Sequence, residues 1–270
     1  MIRMGILDLV NEYGDTATFL NNQENLGDDL EALKRICKVW NSDKPIDIGE
    51  SGTLYRLLQF ASWKLGLNKK FIIHGTLKNR EITNNPAIVN YPLAKLLELD
   101  NKTSQWASAA VLLGNTETIP NPPYKLALTY KAVKHWQTQR AKNESWQSRY
   151  DETILNQAVT FLKMLNQEKV DFKHEQAEDY CFARAFDFIA PQKGEKLWPS
   201  LRGHESDRIE EMEKALSDYI SKKEIDSKDQ RVVQAIAMKA KFDEKPVKFL
   251  HPSSVNKSWP QFWEFLDSHS

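Results

Sequence analysis

Apolar residues in this chain recur mostly at helical spacing. Leu30, Leu33, Cys37 and Trp40 share one helical face after the capping candidates Asp28 and Asp29. Similar faces recur over 86–98, 124–136 and 151–165, and the pattern predicts at least eight helices. Between them lie short β-leaning runs, Ile46 to Ile48, Phe71 to His74, Val170 to Phe172 and Val247 to Leu250, each too short for a helix. Strands scattered among helices read as α/β or α+β. The polar stretch from Gln137 to Ser148 predicts a linker, with one lobe over 1–140 and a second over 141–270. No internal repeat stands out along the chain.

Charge and composition narrow the function classes. The 270 residues carry 37 basic and 37 acidic side chains, so no global field draws the chain to nucleic acid or an anionic membrane, and an anion site must be a local cluster. Cys37 and Cys181 are the only cysteines, too few for a disulfide framework or a cysteine-built metal site. The opening Met1 to Val10 carries Asp8 within its apolar run and lacks a small-residue cleavage site, and no later run reaches membrane-spanning length. A cytoplasmic protein is expected. Only 10 glycines are present, so tight glycine hairpins should be few.

Four segments carry candidate chemistry. Gly49-Glu50-Ser51-Gly52-Thr53 follows a short strand and opens the helical run Leu54 to Leu65; backbone N–H groups at such a start suit a phosphate or carboxylate. Leu201 to Arg208 leads into a helix with Ile209, Met212, Leu216 and Ile220 on its apolar face. Asp229-Gln230-Arg231 opens another helix, and Val255 to Trp263 sets Lys257 in an aromatic stripe. Taken singly, the first is also an ordinary glycine turn, the next two are ordinary capped helix starts, and the last is core packing.

In this order, however, the segments resemble the signature motifs of the 5-enolpyruvylshikimate-3-phosphate synthase family. Gly49 to Thr53 resembles the family's Gly-Asn-x-Gly-Thr loop, and Arg80-Glu81-Ile82 its Arg-Pro-Ile segment. Thr103-Ser104-Gln105 is similar to its Ser-Ser-Gln phosphate loop, and Pro122-Pro123-Tyr124 to Lys-Pro-Tyr. His204 to Arg208 resembles Lys-Glu-Thr-Asp-Arg, Asp229-Gln230-Arg231 the Asp-His-Arg motif, and Lys257-Ser258-Trp259-Pro260 the terminal lysine before an aromatic-Pro pair. Glu178-Asp179 matches the Pro-Asp segment in position, and Arg3 the arginine of Ser-Lys-Ser-x-x-x-Arg, whose lysine would fall upstream of Met1. Between motifs the chain is shorter than a usual member.

The resemblance implies a two-lobed enolpyruvyl transferase fold of the inside-out α/β barrel type, with strands removed. It implies transfer of the enolpyruvyl group of phosphoenolpyruvate to the 5-hydroxyl of 3-phosphoshikimate, by a monomer, without metal or organic cofactor. Phosphoenolpyruvate would be held by Gly52, Arg80, Gln105, Arg208, Arg231 and Lys257, and shikimate phosphate by Arg3, Thr103, Ser104, Gln105, Tyr124, Asp179 and His204. Asp179 would serve the attacking hydroxyl and Glu205 would protonate the methylene. Arginine suits a phosphate and a carboxylate because it grips each through two parallel hydrogen bonds. Two alternatives stay open: a non-catalytic homologue that binds an anionic metabolite, and a transferase for another acceptor.

Overall fold

The chain begins with α1 (Ile2–Val10) and α2 (Asp15–Asn21), joined through a buried carboxylate. Asp8 is fully buried and accepts from the Thr16 N–H at 3.1 Å, the Thr16 hydroxyl at 2.6 Å, the Trp136 indole at 2.7 Å and the Arg140 guanidinium at 2.8 Å. A buried charge persists only with such partners. The computed structural model that shows this describes residues 1–100, 103–114, 126–142, 152–170, 179–197, 201 and 207–268, with the side chains of residues 152, 153 and 179 excepted.

Next comes α3 (Asp28–Val39), where Leu33 and Trp40 of the expected face are buried, Leu30 and Cys37 are half-buried, and Ile36 beside them is buried as well; Asp28, Asp29 and Glu31 lie in its first turn, where the helix dipole favours acids. β1 (Ile46–Gly49) alternates buried Ile46 and Ile48 with exposed Asp47. The Ser51 hydroxyl caps α4 (Gly52–Lys64) by accepting from the Leu54 N–H at 3.2 Å, and β2 (Phe71–Ile73) then pairs parallel to β1. Two 3₁₀ turns follow, Gly75–Asn79 and Pro86–Asn90, then α5 (Leu93–Leu96), α6 (Gln105–Leu112) and α7 (Ala127–Ala141).

The single helix expected over 86–98 is therefore corrected to a 3₁₀ turn and a short α-helix. Pro92 divides it, because proline lacks an N–H and holds the preceding residue, Tyr91, out of helical geometry. The helix expected from 124 begins at Ala127 and continues through the first part of the stretch read as a linker. α4 packs on α6 and buries Leu54, Leu57, Leu58, Phe60 and Ala61, while α6 buries Trp106 through Leu112. Each large apolar side chain so buried contributes about 1.5–3 kcal/mol against exposure.

These elements form one compact unit, Met1–Arg149; a second comprises Tyr150–Ser270. The second contains α8 (Glu152–Leu165), α9 (Asp179–Ala185), α10 (Pro191–Leu197), α11 (Arg208–Ser221), β3 (Glu224–Ile225), α12 (Gln230–Phe242), β4 (Lys248–Phe249), a 3₁₀ turn Pro252–Lys257 and α13 (Phe262–Asp267). Its core is aromatic and sulfur-rich: Tyr180, Phe182, Met212, Met238, Phe161 and Phe262 are all buried. Of the run Val170 to Phe172, Val170 joins no regular element and the rest lies outside the described residues.

A repeat absent from the residue pattern emerges in the elements. In the first unit α3, β1, α4, β2 and a 3₁₀ turn follow one another; in the second α11, β3, α12, β4 and a 3₁₀ turn do so at nearly the same spacing. α4 and α12 both have 13 residues and a side-chain cap, Ser51 and Asp229, and both strand pairs are parallel. A histidine follows the second strand each time and pairs with an aspartate at the first, His74 with Asp47 at 3.1 Å and His251 with Asp226 at 3.0 Å. The chain is thus mostly helical α/β, with its strands in two separate two-stranded sheets and no closed barrel among the described residues. No described helix is long and apolar enough to cross a membrane.

Candidate functional site

In the first unit two arginines converge on the start of α4. A methyl group placed on Gly52 would lie 2.6 Å from Arg80 Nη1 and 3.1 Å from Arg56 Nη1, so both guanidinium groups occupy the space that glycine leaves. The first N–H groups of a helix have no partners within it and carry its positive end, and two guanidinium groups beside them make this a cationic position. Arg80 is oriented from outside: its Nη2 donates to Thr76 Oγ1 at 3.1 Å, while the Thr76 N–H and hydroxyl both donate to Glu50 Oε2 at 3.0 Å. Glu50 thereby spends its charge on the turn that carries Arg80. Gly75, at φ 47°, is required there, since a side chain would collide with the Glu50 carboxylate.

Arg56 is held from the opposite side by an acid. Its Nε donates to Asp100 at 2.7 Å, with both side chains 4% exposed. Asp100 also accepts from the Thr83 N–H at 3.0 Å, the Thr83 hydroxyl at 2.7 Å and the Trp106 indole at 2.8 Å. Burial alone would raise the Asp100 carboxyl, but the hydrogen bonds from Thr83, Arg56 and Trp106 outweigh it and hold its pKa below the ordinary value. Burial depresses the Arg56 guanidinium despite Asp100, and neighbouring Arg80 depresses it further. Arg56 Nη1 donates to Gln105 Oε1 at 2.9 Å and to the Gly52 carbonyl at 3.3 Å, and Gln105 Nε2 donates to Thr53 Oγ1 at 2.7 Å. Gly52, Arg80 and Gln105, expected together from sequence, meet here.

The other expected residues of this unit fall at the start of α6 and beside it. Thr103 is buried, and its hydroxyl accepts from the Gln105 N–H at 3.3 Å; Ser104 precedes α6 without a side-chain cap. Arg3, on α1, donates to Thr129 at 2.9 Å, and Thr129 donates to Ser108 at 2.9 Å, one turn beyond Gln105. Arg3 thus ties α1 and α7 to α6.

In the second unit the arginines gather at the start of α12. The Asp229 carboxylate accepts from the N–H groups of Arg231 at 2.8 Å and Val232 at 3.4 Å, and from Arg208 Nε at 2.7 Å. Arg231 is 5% exposed, has no acidic partner among the described residues, makes one long bond to Gln234 Oε1 at 3.4 Å, and leaves its Nε buried without a partner. Gln234 Nε2 reaches Ser258 Oγ at 3.2 Å, which links α12 to the turn ending at Lys257. Cys181 lies fully buried nearby; burial and then Asp229 push its thiol far above the ordinary range, although Arg208 and Arg231 pull the other way.

No family model, curated protein or solved structure matches this chain. The site therefore rests on its own geometry. Tyr124, His204 and Glu205 lie outside the described residues; Asp179 opens α9, with its side chain outside them. Among the described residues no group of three or more His, Cys, Asp or Glu is arranged to hold a metal ion. The residues missed from sequence are Arg56 and Asp100. A signal existed for the first: a lone arginine within the apolar run Leu54 to Leu65, where a buried cation requires a partner.

Proposed function

We propose that the chain is an enolpyruvyl transferase of the 5-enolpyruvylshikimate-3-phosphate synthase type, its two compact units being the two lobes of that fold with reduced strand content. The observation that carries the reading is Arg231, buried and without an acidic partner among the described residues. A buried guanidinium in that state calls for an anion from outside the chain. Arg80 and Arg56, packed over Gly52, supply a separate cationic position in the first unit. Phosphoenolpyruvate, with a phosphate and a carboxylate, is a ligand of matching charge.

In this mechanism Asp179 accepts the proton of the 5-hydroxyl of 3-phosphoshikimate as its oxygen attacks C2 of phosphoenolpyruvate, and Glu205 donates a proton to C3. The new C–O bond gives a tetrahedral intermediate; breaking the C2–O bond to phosphate and returning a C3 proton to the enzyme regenerates the double bond. The resemblance assigns the charge on phosphate and carboxylate to Arg80, Arg208, Arg231 and Lys257, and preorganised cations are a large source of rate. The test is phosphate release from phosphoenolpyruvate that depends on 3-phosphoshikimate, with Glu205→Gln expected to lower the rate at least ~100-fold. Binding of both substrates without turnover under any condition would support the non-catalytic alternative and overturn the transferase reading.

A further inference from the structure

The polar chain running from Asp100 to Thr53 has a fixed direction. Arginine has only donors, so Arg56 can meet Gln105 only at Oε1, as it does at 2.9 Å. That choice turns the Gln105 Nε2 toward Thr53 Oγ1, to which it donates at 2.7 Å. The Thr53 oxygen, having accepted, keeps its own proton for another acceptor, and Thr53 stands in the first turn of α4, one residue after Gly52, over which the two guanidinium groups pack.

We propose that Arg56, locked by Asp100, is a positioning residue whose role is to set the polarity of this relay, so that the Thr53 hydroxyl donates to the phosphate or carboxylate bound at the start of α4. The inference rests on the anion site described above and adds two residues to it, Thr53 as a ligand donor and Arg56 as the group that orients it. Asp100 makes the arrangement unambiguous: it takes the Arg56 Nε, leaving Nη1 for Gln105 and the Gly52 carbonyl. Without the Arg56 fork the amide is free to flip, present Oε1 to Thr53 and draw the hydroxyl proton away from the ligand.

Calorimetric titration of the full chain with phosphoenolpyruvate and, separately, inorganic phosphate tests this. Thr53→Val should weaken binding about tenfold, the scale of a lost hydrogen bond to a charged group, while Thr53→Ser should stay within about twofold of wild type. Arg56→Lys, which keeps the charge but loses the fork, should also weaken binding about tenfold, yet cost nothing further in the Thr53→Val background. A charge or folding effect would add in that double variant, so equal losses in both backgrounds overturn the relay. Should Arg56→Lys fail to fold, the Thr53 pair carries the test alone, and unchanged binding by Thr53→Val overturns it. If wild type binds inorganic phosphate but not phosphoenolpyruvate, the transferase reading falls while the relay stands on the phosphate data. If it binds neither, both fall.

Discussion

The two units use the same succession of elements and treat their arginines differently. In the first, Arg56 is buried with its own carboxylate, Asp100, and Arg80 is steered by Thr76 and Glu50. In the second, the cap residue Asp229 takes Arg208, and Arg231 is left with a long bond to Gln234. A buried ion pair whose remaining donors are satisfied stands without help from solvent, whereas an uncompensated buried cation is a standing penalty that a bound anion relieves. The buried arginine of the first unit is thus matched by an acid of its own, and that of the second has none among the described residues.

Breaking the compensated arginine should have the largest effect. Arg56→Met leaves Asp100 buried without its cation and should lower stability by about 3–5 kcal/mol, read from denaturant midpoints. Arg231→Met is the counterpart: unfolding free energy should be unchanged or raised in the absence of ligand, and stabilisation by phosphoenolpyruvate should disappear. A loss of stability at Arg231 as large as that at Arg56 would erase the contrast.

The pH dependence separates the units further. Asp100 has a folded pKa below its unfolded value of about 3.9. Its contribution is therefore complete above that value and lost as pH falls through the folded pKa. Acid titration of stability should flatten there in Asp100→Asn relative to wild type. Caps give a smaller difference: Ser51→Ala should cost about 1 kcal/mol, and Asp229→Ala more, because it also strips Arg208 of its partner. Smallest in free energy are the thiols. Burial, reinforced by Asp8, pushes Cys37 up to about 11, and Cys181 is raised by burial in the other unit, so both should react slowly with iodoacetamide at neutral pH until the chain unfolds.

Much of the fold is local and was readable. Leu33 and Trp40 of the α3 face and the alternation of Ile46 and Ile48 record burial directly in sequence. β3, two residues long, carries too short a pattern to read. The repeat escaped because the elements recur without their residues: serine caps one helix and aspartate the other, and only the His74 and His251 pairs keep both chemistry and place. Of the residues grouped at the start of α4, Gly52, Arg80 and Gln105 were named through the resemblance to family motifs. Asp100 was not, because its four hydrogen bonds come from Arg56, Thr83 and Trp106 and depend on a left-handed backbone at φ 46° that no spacing announces.

The central claim is that the buried guanidinium of Arg231, which has no acidic partner among the described residues, is completed by an anionic ligand. Following the arginine Nε–H resonances of the full chain by NMR during titration with phosphoenolpyruvate addresses it directly. The account predicts that the Arg231 signal shifts and saturates along the binding curve. An Arg231 signal that stays unmoved at saturating phosphoenolpyruvate would contradict it.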